Sequence, residues 1–161
     1  MAASVLRLSP VRGAGDGPGV AIWAVPRPSE SPPVNSHHQS NVDRFNTLAA
    51  QWDQDASHVR MAQKVARAIV QALQPDGSED TLEFGAGTGL ATLIVAPRVK
   101  QLTALDGSAG MLEVLRQKCA RKGLVNVQAV EGDVADVPLA QYDLIYSAMT
   151  LHHVQDVPAL L

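Results

Sequence analysis

Apolar positions recur with a helical period in the stretch that follows residue 40. Four of them stand at i, i+3, i+4 and i+7, which predicts one face of a short helix: Phe45, Leu48, Ala49 and Trp52. The same spacing continues over residues 59–73, after which Pro75 and Gly77 end it. The pattern therefore predicts two consecutive helices, each with one apolar face to bury.

Further along the chain, four short apolar runs alternate with helical stretches. The runs cover residues 81–84, 102–105, 127–130 and 142–146. A short helix is predicted over residues 89–96, and a longer one over 108–122 with Ser108 as N-cap and Gly123 just past its end. Strands that alternate with helices are typical of a parallel sheet with right-handed crossovers. The predicted fold class is α/β, a Rossmann-like parallel sheet with flanking helices.

Composition divides the chain into two parts. Residues 1–40 hold six of the ten prolines and four of the twelve glycines, and they lack sustained apolar periodicity. We therefore expect a disordered N-terminal extension over residues 1–40 and a single domain over 41–161. From residue 41 onward there are 10 Lys or Arg against 14 Asp or Glu. This balance gives no electrostatic reason to expect nucleic-acid binding, and it favours a small or uncharged substrate.

Cysteine usage and hydropathy bear on the compartment. The single cysteine, Cys119, excludes an intramolecular disulfide and fits a reducing compartment, where it is expected to be a core residue. No apolar run approaches the roughly 20 residues that a membrane-spanning helix needs. The extension has three arginines against two acidic residues. A cytoplasmic location is therefore expected, with a mitochondrial presequence as the alternative.

The most informative stretch is the glycine-rich run GAGTG, residues 85–89, at the end of the first predicted strand. Glycine lacks a Cβ, so the backbone can turn sharply there and a ligand can come close to it. The start of the helix expected after the run would add unpaired N–H groups that favour an anionic ligand group. In open α/β sheets, ligands bind at the carboxyl ends of the strands. The run is therefore a candidate ligand-binding loop.

Two aspartates follow the next predicted strands. Asp106 stands nineteen residues after Gly87 and ends the second strand, where its carboxylate could accept two hydrogen bonds from a ribose diol. Asp133 follows the third strand. Glycines on one strand and carboxylates on its neighbours indicate a nucleoside joined to an anionic or zwitterionic arm.

Glycine spacing helps to separate two ligand classes. The dinucleotide fingerprint G-x-G-x-x-G would require a glycine at position 90, where this chain has Leu90, and the third glycine is Gly89 instead. This displacement argues against an NAD(P)-dependent oxidoreductase, which stays open as the less favoured alternative.

Taken together, residues 45–161 resemble the class I S-adenosylmethionine-dependent methyltransferases, particularly the group that includes the ubiquinone and menaquinone biosynthesis enzymes. The pieces that carry the resemblance are FNTLAAQWD, LEFGAGTGLAT, LTALDGSAGMLEVLRQK, VQAVEGDVADVPL and YDLIYSAMTLHHV. The resemblance implies a methyltransferase with S-adenosylmethionine as cofactor. Its motifs are specific for the cofactor and weak for the acceptor, which we expect to be a small molecule.

The resemblance also implies a set of cofactor-binding residues. The methionine arm would be held by Glu83, Gly85, Ala86 and Gly87, and the ribose by Asp106 with Gly107 and Ser108 close by. The adenine would lie against Met111, Asp133 and Val134, and Ser147 and Ala148 would line the space near the sulfonium. Trp52 would close over the site from the N-terminal helices, although Trp52 and Met111 fit a core role equally well. No catalytic residue is identified.

The adjacent histidines His152 and His153 raise the question of a metal site. Neighbouring residues at a strand-to-helix junction do not project toward one ion, and no cysteine or carboxylate is spaced to complete a set of ligands. We expect no metal, and we interpret the pair as part of the rim of the site, with a general base as the less favoured alternative.

The resembling fold has seven strands, of which this sequence predicts the first four. We therefore expect residues 41–161 to form a partial methyltransferase domain, the cofactor-binding half. The alternative function is that of a truncated, non-catalytic fragment that binds a partner or is inactive. The fourth strand would then be an exposed edge, inviting self-association with another chain.

Overall fold

The computed structural model describes residues 4–7, 36–133 and 137–148. Five strands and four α-helices lie in these ranges. In chain order they are β1 (Ser4–Arg7), α1 (Ser36–Leu48), α2 (Ala56–Leu73), β2 (Asp80–Phe84), α3 (Thr92–Val95), β3 (Gln101–Asp106), α4 (Ala109–Lys122), β4 (Val127–Glu131) and β5 (Leu144–Ser147). Short 3₁₀ turns occupy Ala49–Gln54, Ala96–Arg98 and Leu139–Gln141.

The sheet has the strand order β1-β5-β2-β3-β4. The last four strands of this order are parallel to one another, as the alternation of strands and helices predicts. The chain runs outward from β2 to β3 and β4, and then returns to place β5 on the other side of β2. Strand order therefore reverses between β2 and β5, where ligands bind in sheets of this kind. The predicted α/β fold class is confirmed.

Three helices cover one face of the sheet. Buried apolar side chains of α2, α3 and α4 form a cluster with β3 and β5: Ile69, Leu73, Val95, Leu102, Ala104, Leu112, Leu115, Cys119, Leu144 and Tyr146. The opposite face has a smaller buried cluster of Leu82, Leu105 and Ile145. Since side chains alternate along a strand, Leu82 and its neighbour Glu83 point to opposite faces. Glu83 therefore lies on the helix-covered face.

Local sequence signals set the ends of the longer helices. Asp55 caps α2, accepting the Ser57 N–H at 2.7 Å, and Ser108 caps α4, accepting the Met111 N–H at 3.2 Å. Gly123 ends α4 in the left-handed conformation. The Ser108 and Gly123 assignments follow the sequence prediction. Helix α3 is shorter than the predicted 89–96, mainly because it begins only at Thr92: Gly89 has a positive φ of 79°, which lies outside the helical region. At its other end, the chain tightens after Val95 into the 3₁₀ turn that contains Pro97.

Two elements lie in the N-terminal region, and the expected disorder of residues 1–3 and 8–35 falls outside the described residues. Within residues 1–40, β1 pairs antiparallel with β5, and α1 begins at Ser36. The expectation that the last predicted strand forms an open edge is therefore wrong, because β1 occupies that edge. The four residues of β1 carry too short an apolar pattern to be recognised as a strand.

Candidate functional site

The glycine loop lies at the carboxyl end of β2, at the strand reversal. The N–H groups of Gly85 and Ala86 both donate to the Leu105 carbonyl, at 2.8 and 3.0 Å, which fixes the loop to β3. The Gly89 N–H donates to the Ala86 carbonyl at 2.9 Å and closes a turn. Gly85, Gly87 and Gly89 have φ values of 69°, 54° and 79°, in the left-handed region that favours glycine.

Two of these glycines serve different purposes. A Cβ on Gly89 would lie 2.1 Å from Leu115 Cδ1, so this glycine allows the loop to pack closely on α4. A Cβ on Gly87 would meet no atom within 4 Å. Gly89 is therefore needed for packing, whereas Gly87 borders open space into which a ligand could approach the backbone.

Asp106 links this loop to the next one. Its Oδ2 accepts the Gly87 N–H and its Oδ1 accepts the Ser108 N–H, both at 2.8 Å. Burial raises the pKa of Asp106, and the hydrogen bonds from Ser108 and Gly87 partly offset that rise. The Gly132 N–H donates to the Asp106 carbonyl at 3.1 Å, which brings the loop after β4 to the same edge. One carboxylate thus ties together the loops that follow β2 and β3.

Glu83 lies beneath the glycine loop and is only 1% exposed. Its Oε2 accepts hydrogen bonds from the Thr92 hydroxyl at 2.5 Å and the Tyr146 hydroxyl at 2.9 Å. Burial raises the pKa of Glu83 to about 7, against the lowering effect of these two hydrogen bonds, and the nearby Asp106 charge raises it further. Burial also raises the pKa of Tyr146, as does Glu83. Glu83 therefore titrates near neutral pH.

Ser147 ends β5 directly opposite Phe84, the last residue of β2. Its side chain is buried, and its Oγ has no hydrogen-bond partner within the described part of the chain. A buried hydroxyl without a partner is costly. Its position at the strand reversal marks it as a group that a bound ligand could satisfy.

The other predicted site residues have varied surroundings. Ala86, Ser108 and Met111 are buried, Gly107 and Ala148 are half-buried, and Asp133 is exposed. Met111 is 2% exposed on α4, which agrees with the core alternative. Val134, His152 and His153 lie outside the described residues.

Trp52 packs among aromatic rings of the N-terminal segment. It stacks on His58 with ring centroids 4.2 Å apart, and it meets Phe45 edge to face at 5.7 Å. These contacts join α1, the following 3₁₀ turn and α2. Its closure over the site remains a prediction.

Sequence reasoning missed a group of polar residues that contact the two loops. Asp53 accepts the Thr88 hydroxyl at 2.6 Å, and Asn46 accepts the Ser108 hydroxyl at 2.7 Å. Both acceptors stand in FNTLAAQWD, the first of the pieces that carry the family resemblance. In the helix that the sequence predicts here, their separation of seven residues is two turns and would place both side chains on one face, which was the available signal. In the structure Asp53 lies in the 3₁₀ turn that follows α1.

No group of three or more His, Cys, Asp or Glu residues that could hold a metal ion is found in residues 4–7, 36–133 and 137–148. Across these same ranges, the helices are too short or too polar to cross a membrane.

Comparison with known proteins gives consistent matches. Residues 81–161 match the family described as methyltransferase domain. The chain is 27% identical to a demethylmenaquinone methyltransferase of Tropheryma whipplei, over 80% of this chain and 54% of that protein. It is 30% identical to a malonyl-(acyl-carrier protein) O-methyltransferase of Serratia marcescens, over 76% of this chain and 46% of that protein. The chain thus spans about half the length of these curated relatives.

A solved structure is similar in both sequence and fold. The DhpI–SAH complex is 30% identical with a TM-score of 0.52, over 68% of this chain and 52% of that chain.

Proposed function

This chain belongs to the methyltransferase domain family, and from that premise we propose that it binds S-adenosylmethionine and transfers its methyl group to a small-molecule acceptor. The similarity to DhpI in its complex with SAH supports the cofactor. The demethylmenaquinone methyltransferase among the relatives supports a small-molecule acceptor. The excess of acidic over basic residues from residue 41 onward also favours such an acceptor over a nucleic acid.

Three observations agree with the chemistry of the cofactor. The open space beside Gly87 gives a ligand access to the backbone. Asp106 accepts one N–H at each oxygen, and a carboxylate has about four acceptor positions, so capacity for two hydroxyl groups remains. The Ser147 hydroxyl is buried without a partner. The residues at the strand reversal therefore fit an adenosyl ligand with a polar arm.

The proposed contacts follow the order of the strands. Glu83 and the loop Gly85–Gly87 would hold the methionine arm, Asp106, with Gly107 and Ser108 beside it, would hold the ribose, and Met111 would lie against the adenine. Asp133 and Val134 would hold the adenine, and Ser147 would lie near the sulfonium. This assignment is part of the proposal.

When bound, S-adenosylmethionine supplies an already activated methyl group, so the chain has little covalent chemistry to perform. Its residues would orient the acceptor in line with the methyl group and exclude water. A general base is required only if the acceptor must lose a proton, and we assign none.

The Asp106 carboxylate is the observation that carries the proposal, because it connects both ligand-binding loops and retains acceptor capacity. We expect Asp106→Ala to weaken the binding of S-adenosylhomocysteine by about 10- to 150-fold, the equivalent of hydrogen bonds to a charged group. Titration calorimetry measures this loss. Asp80→Ala is the control. Asp80 begins β2, at the end of the strand that lies away from the glycine loop, and its side chain forms an exposed ion pair with Lys100.

If Asp106→Ala and the unmodified chain bind S-adenosylhomocysteine with equal affinity, Asp106 does not contact the cofactor. A thermal-shift panel tests the ligand class, because S-adenosylhomocysteine should raise the melting temperature and NAD should not. Stabilisation by NAD instead would support the oxidoreductase alternative.

A further inference from the structure

Two polar side chains of the N-terminal segment reach the loops that would bind the cofactor. Asn46 belongs to α1, and Asp53 to the 3₁₀ turn that follows it. Asn46 contacts the loop after β3, and Asp53 contacts the loop after β2. Both residues precede residues 81–161, which match the family.

Asp53 is part of a partly buried ionic cluster. Its Oδ1 accepts the Thr88 hydroxyl at 2.6 Å, and its Oδ2 pairs with Lys118 of α4. Lys118 in turn donates to the Thr88 carbonyl at 2.7 Å. The Lys118 side chain is 13% exposed and that of Asp53 is 30% exposed. Because the pair is partly shielded from water and Asp53 has a second partner in Thr88, its geometry is better defined than that of an isolated surface ion pair.

Asn46 makes a comparable arrangement at the second loop. Its Oδ1 accepts the Ser108 hydroxyl at 2.7 Å and the Gly110 N–H at 2.9 Å. A Cβ on Gly110 would lie 3.1 Å from the Asn46 backbone, so the glycine permits close approach of α1 to the start of α4. The side chain of Asn46 therefore supports the N-cap residue Ser108 from outside α4.

Both contacts end next to groups of the proposed site. Thr88 follows Gly87, whose N–H is bonded to Asp106, and the Ser108 N–H is bonded to the other Asp106 oxygen. Asp53 and Asn46 thus hold the residues on either side of the Asp106 carboxylate. Movement of either loop would change the direction of the donors and acceptors that meet at Asp106.

We propose that Asn46 and Asp53 are positioning residues, which hold the glycine loop and the loop after β3 in the geometry that binds the adenosyl cofactor. They act through Ser108 and through Thr88 with Lys118, and they make the N-terminal helical segment part of the binding site. This inference rests on the proposed function, because it requires that the two loops bind the cofactor.

Variants of Thr88 test the Asp53 contact with little change in shape. Thr88→Val removes the hydroxyl, and Thr88→Ser keeps it. We expect Thr88→Val and Asp53→Asn each to weaken S-adenosylhomocysteine binding by about 10-fold, while Thr88→Ser retains most of the affinity. Hydrogen exchange measured without ligand should show faster exchange of the Gly87 N–H in both weakened variants, because its acceptor is no longer held in place.

A double-variant cycle separates positioning from general destabilisation. The combined Asp53→Asn/Thr88→Val variant should lose less affinity than the sum of the single losses, since both changes act on the contact between Asp53 and Thr88, while only Asp53→Asn also alters the pair with Lys118. Asn46→Ala should weaken binding through the other loop, and its effect should add to that of Asp53→Asn.

The stability control is Gly123→Ala, which strains the left-handed end of α4 without touching either loop. It should lower the melting temperature and leave the affinity unchanged. Lys100→Met, which breaks the exposed ion pair with Asp80, is the charge control for Asp53→Asn and should also leave the affinity unchanged.

Several outcomes would overturn the inference. Unchanged affinity in Asp53→Asn and Asn46→Ala would refute it, as would equal affinity in Thr88→Val and Thr88→Ser. If Asp53→Asn fails to fold, the two Thr88 variants decide the question by themselves. Failure of the unmodified chain to bind S-adenosylhomocysteine would refute the proposed function instead, which distinguishes the two failures.

Discussion

At the residue scale, Glu83 combines full burial with an ionisable group. Its carboxyl lies under the glycine loop, accepts the Thr92 and Tyr146 hydroxyls, and lies near the Asp106 charge. Its folded pKa of about 7 exceeds its ordinary value of 4.5, so the folded chain binds a proton more tightly than the unfolded chain does. Protonated Glu83 is therefore favoured in the folded state.

The pH dependence of stability follows from this shift. Between pH 4.5 and about 7 the folded state holds more protons than the unfolded state, so the free energy of unfolding should fall as pH rises through this window. Glu83→Gln removes the titration. Relative to that variant, the unmodified chain should lose roughly 3 kcal/mol on going from pH 4 to pH 8. Urea unfolding at several pH values measures the difference, and parallel curves for the two proteins would contradict the expectation.

At the element scale, α2 and α4 end in the same backbone conformation with different residues. Gln74 follows α2 at φ 45°, and Gly123 follows α4 at φ 67°. In both cases the N–H of this residue bonds back to a carbonyl of the helix. A side chain with a Cβ is strained in this region, whereas glycine is not. The end of α2 is therefore less favourable than the end of α4.

Placing glycine at position 74 and a residue with a Cβ at position 123 should shift the free energy of unfolding in opposite directions. We expect Gln74→Gly to raise the free energy of unfolding by about 0.5–1 kcal/mol and Gly123→Ala to lower it by about 1 kcal/mol. The gain is limited because glycine also adds freedom to the unfolded chain. Chemical denaturation with equal m-values in all three proteins would provide the measurement. A loss of stability in Gln74→Gly would show that the Gln74 side chain contributes more than its backbone strain costs.

At the scale of the whole molecule, β1 completes the sheet beside β5. Ser4 to Arg7 align with Ser147 to Leu144, and this pairing covers the backbone groups on the outer edge of β5. An uncovered edge is a template for pairing with another chain. The self-association expected from the sequence would therefore require β1 to be displaced.

Removal of the β1 hydrogen bonds should expose that edge. Successive residues of an edge strand point their N–H groups to opposite sides, so either Val5 or Leu6 donates to β5. Proline has no N–H, and a Val5→Pro/Leu6→Pro double variant therefore removes that donor. Sedimentation velocity should then show a concentration-dependent increase in average mass. Val125→Pro, at a 96% exposed loop position, is the control. The same monomer fraction in all three proteins would mean that β1 does not protect β5.

Much of the fold could be predicted because its signals are local. Four short apolar runs, separated by stretches with helical spacing, predicted the strands β2 to β5. Ser108 and Gly123 predicted the two ends of α4. The position of β1 could not be predicted, since its pairing with β5 joins residues about 140 positions apart and the four residues of β1 lie in a region rich in proline and glycine.

The sequence by itself determined where the ligand site lies, because glycines after one strand and an aspartate after the next both stand at the carboxyl ends of a parallel sheet, where ligands bind. Only the tertiary structure decided which of these groups already have hydrogen-bond or packing partners within the chain. Asp106 holds the Gly87 and Ser108 N–H groups, Glu83 is enclosed by two hydroxyls, and Gly89 makes room for Leu115. The contacts of Asp53 with Thr88 and of Asn46 with Ser108 span 35 and 62 residues. No local pattern encodes such distances, because they arise when separate helices and loops pack against each other.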